Sequence, residues 1–211
     1  MGVFKDLMDF LFPEECVLCG KEVGFLQNIC ERCEQNLLKK GPNLNPIRHR
    51  GFTHFFFSSY EDPLKRLIIL YKNHGFLLLK KTLVLVFKKL FEYFPPPENS
   101  LLTWIPSSFQ SLDERGFDHM KIIAKEMEKC LKLRSKGLLI PLGGKQKGKG
   151  RLERRLGRDY ICKEDLKGKS VVLIDDVVVT GTTIKNGALT LKNNGAKRVL
   201  VYTLCISKKM I

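Results

Sequence analysis

The chain is short of acidic residues: 22 against 37 lysines and arginines in 211 residues, a formal net charge of +15. That imbalance makes polyanionic partners easy to hold and acidic ones hard. A generally lysine-rich background gives the same number, so charge alone does not establish nucleic-acid binding. Long apolar runs are also missing. None approaches the length of a membrane span, which excludes stable membrane insertion as an expectation. The stretch Val3–Phe12 is amphipathic, with Lys5, Asp6 and Asp9. Pro13 and cysteines follow it, with no signal-peptidase site. It reads as a short docking helix, and a reducing, cytoplasmic setting is expected. Histidine is scarce as well. His49, His54, His74 and His119 show no ligand spacing, and none pairs with a cysteine as a catalytic couple would. No internal repeat is visible.

With 44% hydrophobic residues, the chain can build one moderate domain and a small appendage. Four of its seven cysteines fall in Cys16-Val-Leu-Cys19 and Cys30-Glu-Arg-Cys33. Two C-x-x-C pairs across a short insert fit a tetrahedral four-thiolate zinc site. Gly20 and Gly24 ease the tight turns. Two disulfides are the alternative, and the expected reducing compartment favours zinc. A closed four-thiolate site is structural. Cys130, Cys162 and Cys205 stand alone and are expected to be buried and structural.

Lys39 to Arg50, with Gly41, Pro42 and Pro46, reads as a linker. The expected division is 1–45 for the N-terminal helix and zinc unit, and 46–211 for the larger domain. Within the latter, strands are expected at Phe52–Tyr60, Leu101–Ile105, Leu138–Ile140, Ser170–Ile174 and Lys197–Cys205. Helices are expected at Leu64–Tyr71, Phe76–Phe94, Asp118–Leu133 and Thr183–Asn194, with Gly195 as a C-cap. This alternation predicts an α/β fold with a mainly parallel sheet. Phe55–Phe57 could stack nucleic-acid bases, but they are expected to fill the core.

The most informative segment is Val171-Val-Leu-Ile-Asp-Asp-Val-Val-Val-Thr-Gly-Thr-Thr183. A branched run suits a strand buried on both faces. Successive strand residues face opposite ways, so Asp175 and Asp176 reach one ligand only if the strand ends there. Gly181 permits a positive φ or a close approach. Thr182 and Thr183 are expected to cap the next helix. Val179, Thr180, Gly181, Thr182 and Thr183 then form a phosphate loop on the helix N-terminus. Asp175 and Asp176 are placed to bond sugar hydroxyls, directly or through hydrated Mg²⁺. The plain alternative is a buried strand with an acidic exit and an ordinary helix start.

Gly143 to Lys149 has P-loop spacing, but Gly150 stands where the Mg²⁺-ligating hydroxyl belongs, so a nucleotide triphosphatase is set aside. A second candidate anion loop is Trp104-Ile-Pro-Ser107-Ser108, followed by Arg115-Gly-Phe-Asp-His119, where the Arg115 fork can reach a phosphate. The alternative is a surface turn with an exposed arginine. Residues 143–150 hold glycines and lysines and no apolar side chain. With Arg151-Leu-Glu-Arg-Arg155 they read as a basic lid over a polyanion, or as a disordered basic loop.

The Asp175–Thr183 segment resembles the signature of type I phosphoribosyltransferases, which bind phosphoribosyl pyrophosphate (PRPP). In that family the two acids contact the ribose and the loop holds the 5-phosphate. Val179 departs from a frequent Thr or Ser. The whole order of pieces resembles the ComF family of competence-associated proteins, from about Phe10 to Ser207. It runs Cys16/Cys19/Cys30/Cys33, Tyr71-Lys72-Asn-His-Gly75, Ile105-Pro106, Arg115-Gly-Phe-Asp-His119, Gln146…Glu153-Arg154, and the Asp175–Thr183 signature. The resemblance implies a type I phosphoribosyltransferase fold behind a zinc unit, with PRPP and Mg²⁺ as ligands. It places Ser107 and Ser108 on the pyrophosphate loop, Lys72 and Arg115 at phosphate-contacting positions, and Gln146, Lys147, Lys149, Arg151 and Arg154 on a mobile loop. It further implies a role in DNA uptake and natural transformation, with single-stranded DNA, an uptake helicase or translocase and a recombination mediator as partners. Asp118-His119 replaces the family's usual Asn-Gln, Trp104-Ile-Pro replaces its Pro-Val-Pro, and Lys147–Gly150 lacks its apolar residue. These departures leave turnover open: a transferase acting on a nucleobase-like acceptor is the alternative to a DNA-uptake factor with a ligand site.

Overall fold

A computed structural model describes residues 14–131, 133–142 and 160–210. The amphipathic stretch Val3–Phe12 and the lid residues Gln146, Lys147, Lys149, Arg151 and Arg154 lie outside them.

A sheet of order β3-β4-β9-β8-β5 carries the larger domain. Its strands are β3 (Ile47–His49), β4 (Phe52–Ser59), β5 (Leu101–Trp104), β8 (Ser170–Val178) and β9 (Arg198–Ile206). The last four pair in parallel, and β3 is an antiparallel edge on β4. The sequence pattern hid β3, because Ile47-Arg-His49 sits at the end of the Gly/Pro-marked linker. Two small antiparallel pairs complete the strands: β1 (Glu14–Glu15) with β2 (Glu22–Val23), and β6 (Leu139–Pro141) with β7 (Tyr160–Cys162).

The helices are α1 (Glu31–Lys39), α2 (Leu64–Asn73), α3 (Lys80–Tyr93), α4 (Phe109–Arg115), α5 (His119–Leu131) and α6 (Thr182–Asn193). The expected Phe76–Phe94 helix begins as a separate 3-10 turn, Leu77–Leu79. Helices α2, α3 and α5 cover one sheet face around Leu67, Phe87, Leu90, Met120, Val172, Ile174 and Tyr202. Helix α6 covers the other with Ile184, Ala188 and Leu191 against Val171, Leu173 and Val201. Burial of both faces explains the continuous apolar runs of β8 and β9. Phe56 and Phe57 are buried, and Phe55 stacks on Phe94 and Tyr202, so these aromatics do fill the core.

Of the lone cysteines, Cys205 is buried in the core, whereas Cys162 is half-buried and Cys130 is exposed. The expectation of burial therefore fails for Cys130, near the end of the surface helix α5. No helix among the described residues is long and apolar enough to cross a membrane.

Candidate functional site

Strand β8 does not end at the two acids. It runs on to Val178, paired with β9 as far as Val178↔Ile206. What ends is its other ladder. Pairing with β5 stops at Trp104↔Ile174, after a last bond from Ile105 N–H to Ile174 O. Asp175 and Asp176 therefore stand where one edge of β8 first opens at the carboxyl end of the sheet. That is the usual place for a ligand crevice in an open α/β sheet. A ligand across that edge can be touched from both faces, so both acids can serve it without the strand ending.

The two acids have different surroundings. Asp175 lines a cavity of about 100 Å³ with Val177–Gly181, Thr183 and Ile184. Its Oδ1 accepts from Asp176 N–H at 2.9 Å. Burial, then the adjacent Asp176 charge, push its carboxyl well above the usual carboxylate range. Asp176 meets the helices of the opposite face. Its Oδ2 lies 2.9 Å from Lys72 Nζ on α2 and 3.1 Å from His119 Nε2 on α5. Its Oδ1 accepts from Val177 N–H at 2.7 Å. Burial opposes its ionisation, but the His119 hydrogen bond and the Lys72 charge outweigh burial and hold it well below the usual range. A negative charge survives on a residue that is 5% exposed because three donors surround it.

The turn after β8 ends with Gly181 at φ +76°, and Gly181 is the N-cap of α6. Thr182 and Thr183 lie inside the helix, not at its cap, and no side chain caps it. The nearest substitute is Thr180 Oγ1, 3.5 Å from Thr182 N. First-turn N–H groups have no acceptor within a helix, and Thr183 and Ile184 of this first turn line the same cavity as Asp175. Met210 closes the loop from behind: a Cβ on Gly181 would come within 2.9 Å of its Cε. Nothing in the sequence pattern marked that contact.

The second loop also gathers at Asp176. Ser107 Oγ lies 3.3 Å from each of Arg115 Nη2, Asp118 Oδ1 and His119 Nδ1. Trp104 Nε1 donates to Asp118 Oδ2 at 3.1 Å. Ser108 sits next in this loop. It is the N-cap of α4, accepting from Ser111 N–H at 3.2 Å. The structure thus brings Lys72, Ser107, Arg115 and Asp176 into one connected group through His119, with Asp175 and the Val179–Thr183 loop beside it. Sequence reading missed His119 as a member, because its partner is a carboxylate 57 positions away and no local spacing points to it.

The four zinc-spaced cysteines converge. Their sulfurs all lie within 4.8 Å of one another, and Cys19 and Cys30 are 3.7 Å apart. Four thiolates at about 2.3 Å around a tetrahedral Zn²⁺ lie about 3.8 Å from each other, so the donor set fits that ion. Burial opposes ionisation of Cys16, yet hydrogen bonds from the N–H groups of Cys30, Leu18 and Cys19 outweigh it and bring the thiol down to about 6. Burial and the neighbouring thiols push Cys33 up to about 12. The four sulfurs cannot all carry charge without a cation between them. This is a structural zinc ribbon.

Sheet order, the open-edge acids and the turn ending at Gly181 define a type I phosphoribosyltransferase-like α/β fold behind that ribbon. The family model of the phosphoribosyl transferase domain matches residues 148–210, and that of the double zinc ribbon domain matches residues 7–43. The second span holds four cysteines and no histidine, enough for one zinc site. Among solved structures the chain is similar to a purine phosphoribosyltransferase from Pyrococcus horikoshii Ot3, with 16% identity over 59% of this chain and 80% of that one, at a TM-score of 0.37. It is also similar to a hypoxanthine phosphoribosyltransferase from Staphylococcus aureus in two crystal forms. The tetragonal form gives 15% identity over 69% of this chain and 66% of that one, and the orthorhombic form 14% over 68% and 64%. Both have a TM-score of 0.35. No curated protein matches the chain.

Proposed function

We propose that this chain binds PRPP with Mg²⁺ and serves DNA uptake as a ComF-like protein, holding single-stranded DNA on its basic surface. The observation that carries the PRPP reading is the pairing of Asp175 with the open N-terminus of α6 around one cavity. A 5-phosphate fits the N–H groups, and ribose hydroxyls then fall toward the acids. Lys72, Arg115 and Ser107 supply donors on the far side, where the pyrophosphate of the same ligand would lie. Asp175 and Asp176 would hold Mg²⁺ directly or through its waters. Divisions at residues 45 and 46, a cytoplasmic setting and partnership with an uptake translocase belong to the same reading.

Turnover is the second reading. Its support is that displacing pyrophosphate from ribose needs mainly charge stabilisation and alignment, which this group of donors offers. The test of the ligand is titration calorimetry of PRPP with Mg²⁺ into the wild type and the Asp175→Ala/Asp176→Ala variant. Binding in the wild type and a loss of at least about a hundredfold in the variant are expected, from two charge-assisted contacts. Equal binding would remove the reading. Pyrophosphate release with a panel of nucleobases separates turnover from binding alone.

A further inference from the structure

His119 touches both halves of the site. Its ring is 5% exposed, and its backbone carbonyl is held by Tyr71 OH at 2.9 Å. Nε2 meets Asp176 at 3.1 Å, and Nδ1 meets Ser107 Oγ at 3.3 Å. Ionised Asp176 only accepts, so Nε2 carries the hydrogen. Ser107 Oγ carries one hydrogen and faces two groups, His119 Nδ1 and Asp118 Oδ1, while it accepts from the Arg115 N–H at 3.3 Å. The contacts form one continuous row: Arg115 to Ser107, Ser107 to His119, His119 to Asp176. Hydrogen bonds linked in a buried row polarise and strengthen one another.

We propose that His119 is a positioning residue that ties Asp176 to the Ser107 loop, so that the ribose side and the pyrophosphate side of the site bind their parts of one ligand cooperatively. The inference rests on the PRPP reading for its ligand, and on the geometry above for the strut itself. Lys72 alone cannot do this. It reaches the same Asp176 oxygen, but among the described residues its ammonium makes no hydrogen bond to the Ser107 loop. Asp118 steadies the same serine at 3.3 Å and is itself held by Trp104, which keeps the loop end of the strut in place.

The experiment compares His119→Leu, His119→Gln, Ser107→Ala and the Ser107→Ala/His119→Leu double variant by calorimetry with PRPP and Mg²⁺. Glutamine keeps one N–H donor and one acceptor. His119→Leu should bind about tenfold more weakly, the scale of one charge-assisted hydrogen bond. His119→Gln should recover most of that loss, and the double variant should bind about as weakly as His119→Leu alone. Wild-type affinity in His119→Leu, or losses in the double variant that multiply, would overturn the coupling. A ligand-free measurement keeps this result apart from the ligand question. The ¹⁵N spectrum of the wild-type imidazoles should show His119 with hydrogen on Nε2, and its Nδ1 signal should move in Ser107→Ala. If those signals appear and PRPP does not bind, the strut stands and the ligand reading falls. If PRPP binds and Nδ1 ignores Ser107→Ala, the strut falls and the ligand reading stands.

Discussion

At the scale of single residues, the acids and the loop were legible because their chemistry is contiguous in sequence. Asp175-Asp176 and Thr180–Thr183 advertise themselves by type and spacing. Their differing roles were not legible, because those depend on helices far away in the chain. Burial explains a second hidden residue. His54 is fully buried, with Nε2 2.8 Å from Thr203 Oγ1 and Nδ1 without a hydrogen-bond partner. Burial and the charge of His49 bring its imidazole from 6.5 down to about 4. Between those values the unfolded chain binds a proton that the folded chain refuses. This contribution to stability is full above the unfolded value and is lost as pH falls toward the folded one. Going from pH 7.5 to pH 5 should cost about 2 kcal/mol through His54 alone. Urea unfolding of the wild type and His54→Leu at both pH values checks this. The variant should lose about 2 kcal/mol less across that step, and parallel pH curves would refute the assignment.

At the scale of elements, most of the central strands and helices were readable from apolar runs and periodicity. Three kinds of feature were not. Short strands such as β3 and β7 offer too few residues for a period to show. Strand β8 was cut short because acids read as an exit, although its pairing with β9 carries them onward to Val178. Helix α6 holds the third, a glycine in its middle that looks like a flaw in sequence. Gly187 is buried contact surface: a Cβ there would stand 2.7 Å from Ile105 Cδ1 and 3.3 Å from the Cδ atoms of Leu139 and Leu173. Alanine gains about 1 kcal/mol in helix propensity, while overpacking a filled core costs about 1–3 kcal/mol. The nearest obstacle is a buried side chain hemmed by two others, so overpacking wins. Gly187→Ala should melt a few degrees below the wild type by calorimetry, by about 2–4 °C for each kcal/mol lost. It should also bind PRPP more weakly, since the proposed phosphate loop sits at the head of α6. A melting point above the wild type's would show that the helix shifts freely on the sheet.

At the scale of the whole molecule, the zinc ribbon is fastened to the larger domain. Leu37 of α1 is buried in the core beneath α3, and Thr82 Oγ1 on α3 donates to Glu34 Oε1 at 2.7 Å. The ribbon's helix α1 therefore adds to the cover on that side of the sheet. Charge is the other whole-molecule property, and it was legible from composition alone. Among the described residues some acids are spent locally: Asp176 on Lys72, Glu92 on Lys89, Glu126 on Lys80 and Lys129, Glu128 on Lys125, Glu164 on Lys136, and Glu61 on Lys208. With 37 basic and 22 acidic side chains, at least 15 cations are left without an acid of their own. Phosphates are their natural counter-charge, and each contact to a single strand contributes a slope of about −0.7 in log affinity against log salt. A footprint of about five phosphates gives a slope near −3.5, so binding of a fluorescent oligothymidine should weaken about 40- to 50-fold between 0.1 and 0.3 M salt. Fluorescence anisotropy across that range measures it directly. Affinity that stays flat with salt would mean that the excess charge does not hold the strand, and the nucleic-acid part of the proposed function would go with it.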